Sequence, residues 1–202
     1  MISVVSYGVG NVGSIFSMLR KIGVPAIAAS TPDDIAKAER IILPGVGAFD
    51  HGMAMLAEHS LIEPLRERAG AGIPLLGICL GMQLLGRASE EGIVAGLGVM
   101  DAHSVRFLPG GERPLKIPHM GWSELTIRRQ SPLLDGFEDQ ARFYFVHSYH
   151  YVCDRSEDVL ATAPYGIDFT AVVQRDNVWG AQFHPEKSHR FGMTLLRNFA
   201  RL

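Results

Sequence analysis

The sequence predicts an α/β fold: a mostly parallel central sheet flanked by helices, with an antiparallel extension in the second half. Three observations lead there. Apolar strand-like runs alternate with segments of helical period through the first half. Short runs rich in β-branched and aromatic residues, separated by turns, fill the second half. A stripe at helical spacing, Phe191, Leu195, Phe199 and Leu202, closes the chain.

Residues 2–7 are an apolar run closed by glycines and read as the first strand. Residues 14–22 follow as a helix, with Ile15, Met18, Leu19 and Ile22 on one face. Residues 24–29 read as the second strand. Thr31 then caps a helix with Pro32 at its first position. Residues 40–43 form the third strand, ended by Pro44-Gly45. The region 49–69 is helical, in two pieces broken near Pro64. Residues 74–78 are a short buried strand and 80–87 the helix after it. Beyond these, 103–108, 122–127, 142–149, 159–163, 170–175 and 178–183 read as strands in antiparallel or mixed pairing. Residues 191–202 return to helix. There is no linker, repeat or low-complexity tract, so 1–202 reads as a single domain.

Composition narrows the function. The 202 residues are 47% hydrophobic and 20% charged, with net charge -2, which argues against a nucleic-acid partner. No run of about 18 apolar residues predicts a membrane span. The N-terminus has no basic stretch before its apolar run and reads as a strand, not a signal peptide. Two cysteines, Cys79 and Cys153, fit a reducing cytoplasm better than a disulfide scaffold.

Two glycine motifs compete for the chemistry. Gly8-Val9-Gly10-Asn11-Val12-Gly13 matches the dinucleotide fingerprint between a strand and a helix. The second strand, however, ends Ala28-Ala29-Ser30 without the acidic residue that holds a ribose. Asp33 and Asp34 fall in the first turn of the next helix, where acids answer the helix dipole. Gly77-Ile78-Cys79-Leu80-Gly81 has the form of a nucleophile elbow with cysteine in place of serine. The glycines two before and two after let neighbouring backbone approach a sharp strand-to-helix turn. The turn places the sulfur at a helix start, which favours the reactive thiolate, and aims the Leu80 amide at an oxyanion. Cys153 lacks such a setting and reads as structural.

A thiolate needs a base, and the base an orienting group. Gln182-Phe183-His184-Pro185-Glu186 offers both: His184 and Glu186, two apart, project to one side of an extended backbone that Pro185 stiffens. His147 and His150, three apart on one strand, face opposite ways. With His119 they do not make a metal site, so neither metal nor cofactor is expected.

An elbow cysteine followed far downstream by His-Pro-Glu resembles the class I, triad-type glutamine amidotransferases, across essentially the whole chain. Within them the chain is most similar to the glutaminase subunits of imidazole glycerol phosphate synthase. The motifs that carry this are Tyr7-Gly8-Val9-Gly10-Asn11, Pro44-Gly45-Val46-Gly47-Ala48-Phe49, Gly77 to Leu85, Pro118-His119-Met120-Gly121-Trp122, Phe145-Val146-His147-Ser148-Tyr149 and Gln182 to Ser188. The resemblance implies a flavodoxin-like fold. It implies that Cys79 attacks the side-chain amide of L-glutamine, with His184 and Glu186 completing the triad. Val46 and Leu80 would supply the oxyanion hole. Gly47, Gln83, Glu91 and the backbone of Ser148 and Tyr149 would hold the substrate. It implies a heterodimer with a (β/α)8-barrel cyclase that takes the ammonia, met by Asn11, Trp122, Tyr144 and Lys187. The first glycine turn then becomes a partner-facing loop. The segment at Val46 is expected to rest away from Cys79, because Gly45 and Gly47 permit a peptide flip. Ser123 and His150 stand where the family usually carries asparagine and an aromatic residue. The destination of the ammonia stays open between the histidine pathway and another synthase, such as one forming amidino sugars. A non-catalytic binding module and a dinucleotide-binding protein are the readings from other classes.

Overall fold

The computed structural model describes residues 1–108, 115–137 and 141–202. The first half alternates as predicted: β1 (Ile2–Val5), α1 (Val12–Lys21), β2 (Ala26–Ala29), α2 (Pro32–Ala36), β3 (Ile41–Gly45), α3 (Phe49–Glu58), α4 (Ile62–Gly70), β4 (Leu75–Cys79) and α5 (Leu80–Leu85). Then come β5 (Ala88–Ser89), β6 (Ala102–Arg106), β7 (His119–Glu124), β8 (Thr126–Ile127), β9 (Arg142–His147), β10 (Tyr149–Cys153), β11 (Val159–Tyr165), β12 (Ile167–Arg175), β13 (Val178–Ala181) and α6 (His189–Arg201).

The main sheet runs β2-β1-β3-β4-β13-β12-β10-β6-β5. Its first five strands are mutually parallel. From β12 onward the β13, β12, β10 and β6 pairings are antiparallel, and β11 and β8 extend that side. A separate ribbon pairs β7 with β9. Apart from the edge strand β2, the parallel strands are buried on both faces, as parallel sheets require. Val4, Ile42 and Leu76 point into one core with Ile15 of α1 and Leu195 and Phe199 of α6. Their neighbours Val5, Ile41, Leu43 and Leu75 point into the other, with Ile35, Leu56, Leu65 and Leu80 from α2 to α5.

Local signals explain several boundaries. Thr31 and Asp34 form a full capping box at α2: Thr31 Oγ1 accepts from Asp34 N at 3.2 Å, and Asp34 accepts from Thr31 N at 2.9 Å. Asn11 caps α1 two residues earlier than the apolar spacing suggests. Pro64 does not break the helical region. It sits in the first turn of α4, where its missing N–H costs nothing, and the break falls at residues 59–61 with Ser60 at φ 57°. Residues 122–127 divide into β7 and β8, and 142–149 end at His147 before the chain turns into β10.

The order of the parallel strands positions the chemistry. β13 comes late in the chain yet pairs with β4, setting Ala181 opposite Ile78. β3 flanks β4 on the other side, setting Gly45 opposite Cys79. The C-terminal ends of β3, β4 and β13 therefore meet at one place, where open α/β sheets characteristically carry their sites.

Candidate active site

Cys79 stands at the junction of β4 and α5 with φ 54° and ψ -113°, a backbone region L residues rarely occupy. The packing around it explains the flanking glycines. A Cβ on Gly77 would lie 2.7 Å from the carbonyl carbon and oxygen of Gly81, and one on Gly81 would lie 1.8 Å from the Leu43 carbonyl oxygen. The elbow is thus folded against itself and against β3, and only glycine fits at either position. Helix α5 is shorter than predicted, ending at Leu85.

His184 follows β13. Its Nδ1 lies 2.8 Å from Glu186 Oε1, and both side chains are 2% exposed. The geometry differs from the predicted extended arrangement. Pro185–Lys187 is a 3-10 turn, and Pro185 begins it. Glu186 reaches the imidazole by turning back, not by projecting along a strand. The His184 backbone is braced on both sides: its N–H donates to Tyr144 O at 2.9 Å, and its carbonyl accepts from Ser188 Oγ at 2.6 Å. Burial opposes a charge on this imidazole. The neighbouring Cys79 sulfur and the Glu186 carboxylate outweigh it and push the pKa up to about 10.

Cys79 and His184 line one cavity of about 470 Å³ with Val46, Gly47, Ala48, Leu80, Gln83, Glu91, Pro118, Val146, His147, Ser148 and Tyr149. Every residue assigned above to the triad, oxyanion hole or substrate lines it except Glu186, which stands behind His184. Gln83 is 5% exposed, and its Nε2 donates to Gln182 Oε1 at 3.1 Å and to Tyr149 O at 3.3 Å. Glu91 Oε2 accepts from Phe49 N at 2.9 Å, at the start of α3. Gly47 takes φ 99° with open space where a Cβ would sit. Gly45 is different: a Cβ there would lie 2.9 Å from Gly81 N and Leu80 Cβ. Its glycine serves close packing, so conformational freedom in this segment belongs to Gly47 alone.

Several residues of the site carried no signal of their own. Gln182 is fully buried, with Nε2 3.9 Å from the Cys79 sulfur. Tyr7 donates from its buried hydroxyl to Pro44 O at 2.8 Å. Burial, and then the charge of Cys79, raise its pKa. The first glycine loop serves this neighbourhood too, since a Cβ on Gly10 would lie 3.2 Å from Pro44 Cβ. His147 and His150 do not face opposite ways, because the chain turns at Ser148. Both rings reach Phe107, with centroids 5.3 Å and 4.7 Å away. His147 pairs with His119 at 3.2 Å, and burial pushes His147 down to about 3 and His119 to about 4. Among the described residues no cluster of three His, Cys, Asp or Glu is placed to hold a metal ion. Cys153 is half-buried, with its thiol pushed up to about 12 by burial and by Asp158.

The residues assigned to a partner divide. Trp122 is 44% exposed, lies edge-on to Tyr144 at 6.0 Å and stacks on His189 at 5.5 Å. Lys187 Nζ lies 5.6 Å over the Tyr144 ring. These form one patch. Asn11 caps α1, which packs against the turn that carries Lys187.

A buried cysteine on a strained elbow, beside an imidazole held by a carboxylate, defines a triad-type cysteine amidase on a flavodoxin-like sheet. Residues 3–202 match the class-I glutamine amidotransferase family. Imidazole glycerol phosphate synthase subunit HisH 2 of Pseudomonas aeruginosa is 50% identical, over all of both chains. The subunit HisH 2 of Methanococcus maripaludis is 48% identical over 98% of each, and HisH of Bdellovibrio bacteriovorus 45% over all of both. Among solved structures, that of PurLQS from Thermotoga maritima superposes with TM-score 0.75 at 21% identity, covering 99% of this chain and 97% of that one, which speaks for the fold. The chain belongs to the class-I glutamine amidotransferase family and, within it, to the HisH subunits of imidazole glycerol phosphate synthase. No helix among the described residues is long and apolar enough to cross a membrane.

Proposed function

We propose that this chain, as one amidotransferase domain over residues 1–202, hydrolyses L-glutamine to glutamate in the cytoplasm. It passes the ammonia to a (β/α)8-barrel cyclase making imidazole glycerol phosphate and aminoimidazole carboxamide ribonucleotide for histidine biosynthesis. The Cys79 thiolate attacks the side-chain amide carbon. The oxyanion is held by the N–H groups of Leu80 and Val46. The His184 imidazolium protonates the departing nitrogen, leaving a thioester on Cys79. Water then attacks, gives its proton back to His184, and glutamate leaves. Glu186 keeps the imidazole oriented throughout. Glu91 pairs with the substrate ammonium, while Gly47, Gln83 and the backbone of Ser148 and Tyr149 hold the rest. The observation that carries this reading is the meeting of strand ends: Cys79 closes β4, and His184, 2.8 Å from Glu186, follows its parallel neighbour β13.

Ammonia released into bulk water would be protonated and lost as a nucleophile, so the chemistry asks for a docked acceptor. Trp122, Tyr144 and Lys187, with Asn11 at the head of α1, form the face assigned to it. Glutamate release is measured for the chain alone and with the histidine-pathway cyclase and its nucleotide ligand. Strong stimulation that Cys79→Ala abolishes is expected. Release persisting in Cys79→Ala would refute the nucleophile. A second reading, the same glutaminase serving a different synthase, is favoured by Ser123 and His150. Glutamate release that this cyclase, though active on added ammonia, fails to stimulate would point to it.

A further inference from the structure

Glu91 sits on an exposed turn between β5 and β6, yet its carboxylate occupies a defined place on the cavity wall. The turn is fastened from two sides. On the β6 side, Glu90 N donates to Ser104 O at 2.9 Å, and Glu90 Oε2 accepts from Arg106 N at 2.7 Å. On the other side Asp50, in the first turn of α3, takes the turn's amides. Its Oδ1 accepts from Ile93 N at 3.1 Å and from Val94 N at 3.3 Å, and its Oδ2 from Ile93 N at 3.1 Å. Glu91 answers in kind by capping Phe49 N, one residue before Asp50, at 2.9 Å. The contact leaves no room for a side chain between, since a Cβ on Gly92 would lie 1.8 Å from Asp50 Oδ1.

An acid in the first turn of a helix is ordinarily explained by the helix dipole. Asp50 goes further, because its oxygens take the amides of the Glu91 turn. We infer that Asp50 is the positioning residue that fixes Glu91 on the cavity wall and so sets the selectivity for an amide substrate bearing an α-ammonium group. Glu91 spends Oε2 on Phe49 and keeps Oε1 for a ligand. If the turn swings out, the carboxylate leaves the wall, while Cys79, His184 and the oxyanion donors stay in place. The inference rests on the amidase reading above. It differs from a stability role, which would affect all substrates alike.

The test compares glutamine with glutaramate, the same amide lacking the α-ammonium group, by ammonia release from the complex with the barrel cyclase. Asp50→Ala is expected to raise KM for glutamine tenfold to a hundredfold, roughly the worth of a charged hydrogen bond, with kcat and the glutaramate parameters within about twofold. Gly92→Ala, which prises the same contact from the loop side, is expected to act in the same direction. Asp50→Asn retains an acceptor oxygen, tests the point where the alanine variants fold poorly, and is expected to fall between. In a Glu91→Ala background Asp50→Ala should add less than about twofold. An unchanged preference for glutamine over glutaramate in folded Asp50→Ala, Gly92→Ala or Asp50→Asn protein would overturn the assignment. A wild-type complex that hydrolyses neither amide would instead overturn the amidase reading, and the assignment with it.

Discussion

Replacing Glu186 with glutamine tests the triad where the structure is most quantitative. The side chain keeps its size and can still accept from His184 Nδ1–H across 2.8 Å, so only the charge is removed. Holding the imidazole pKa at about 10 against an ordinary 6.5 corresponds to on the order of 5 kcal/mol of preference for the imidazolium. Two anionic neighbours share that preference, and the Cys79 sulfur acts alongside Glu186. The carboxylate's part is then on the order of 2 kcal/mol, or roughly thirtyfold in the protonation constant of His184. The assay needs no partner protein. Nitrogen-15 NMR of the histidine rings gives the His184 titration midpoint, and alkylation by iodoacetamide reports the reactivity of Cys79. In Glu186→Gln the midpoint is expected to fall by more than about one pH unit, and alkylation at neutral pH, where His184 stays charged in both proteins, to change by less than about threefold. A midpoint that stays in place would refute the claim that Glu186 sustains the charge on His184.

Gly81→Ala drives a Cβ to 1.8 Å from the Leu43 carbonyl and is expected to cost at least about 3 kcal/mol in a urea titration. Val46→Pro removes one amide N–H and is expected to lower kcat about a hundredfold in the cyclase complex with little change in KM, read by glutamate release. Burial holds His119 and His147 neutral, at about 4 and about 3, while in the unfolded chain they take up protons near 6.5. The stability they contribute is therefore full above about pH 6.5 and lost as pH falls from there, by up to roughly 2 kcal/mol per imidazole at pH 5. Urea midpoints at pH 7.5 and pH 5 should lie closer together in His119→Phe than in the wild type. Ser188→Ala removes the acceptor of Tyr144 N and the donor to His184 O. It is expected to cost about 1–3 kcal/mol and to lower kcat in the complex more than it raises KM.

The elbow was legible because a sharp strand-to-helix turn around one residue leaves a fixed spacing. Gly77 is demanded by Gly81 and Met82 within the turn and Gly81 by the Leu43 carbonyl of β3, and both fall at set distances from Cys79. The alternation of the first half was legible for a similar reason, each strand and helix having its own period. What the sequence hid was decided across the fold. Residues 142–149 read as one strand, with no glycine or proline near Ser148 to mark where the chain leaves the β7–β9 ribbon for the main sheet. The break there is stabilised by His147 Nδ1 and Tyr149 O at 2.8 Å, a contact that no periodicity foretells. Pro64 misled because a proline tolerated in a first turn looks the same as one that ends a helix. Asp50 gave no signal of its own, because its partners lie 43 and 44 residues further along the chain.

The three parts of the site are held with different stiffness, and the difference has a mechanical consequence. Cys79 is locked by glycines that admit no side chain, between β3 and α5. His184 is locked through its backbone to Tyr144 and Ser188, and Phe183 beside it stacks on Phe143 at 3.9 Å. Tyr144 in turn pairs with Trp122 in the β7–β9 ribbon, so the base and the exposed aromatic patch belong to one rigid piece. The Val46–Gly47 segment has neither restraint: Val46 is 44% exposed and Gly47 takes a left-handed backbone with nothing beside it. A protein docking on the patch therefore meets a stiff support on one side and a yielding segment on the other. Its binding energy has only the yielding segment to reshape, and that segment carries the amide assigned to the oxyanion. On the function proposed above, the nucleophile and base would stay assembled while a docked partner moves the segment that carries the Val46 amide.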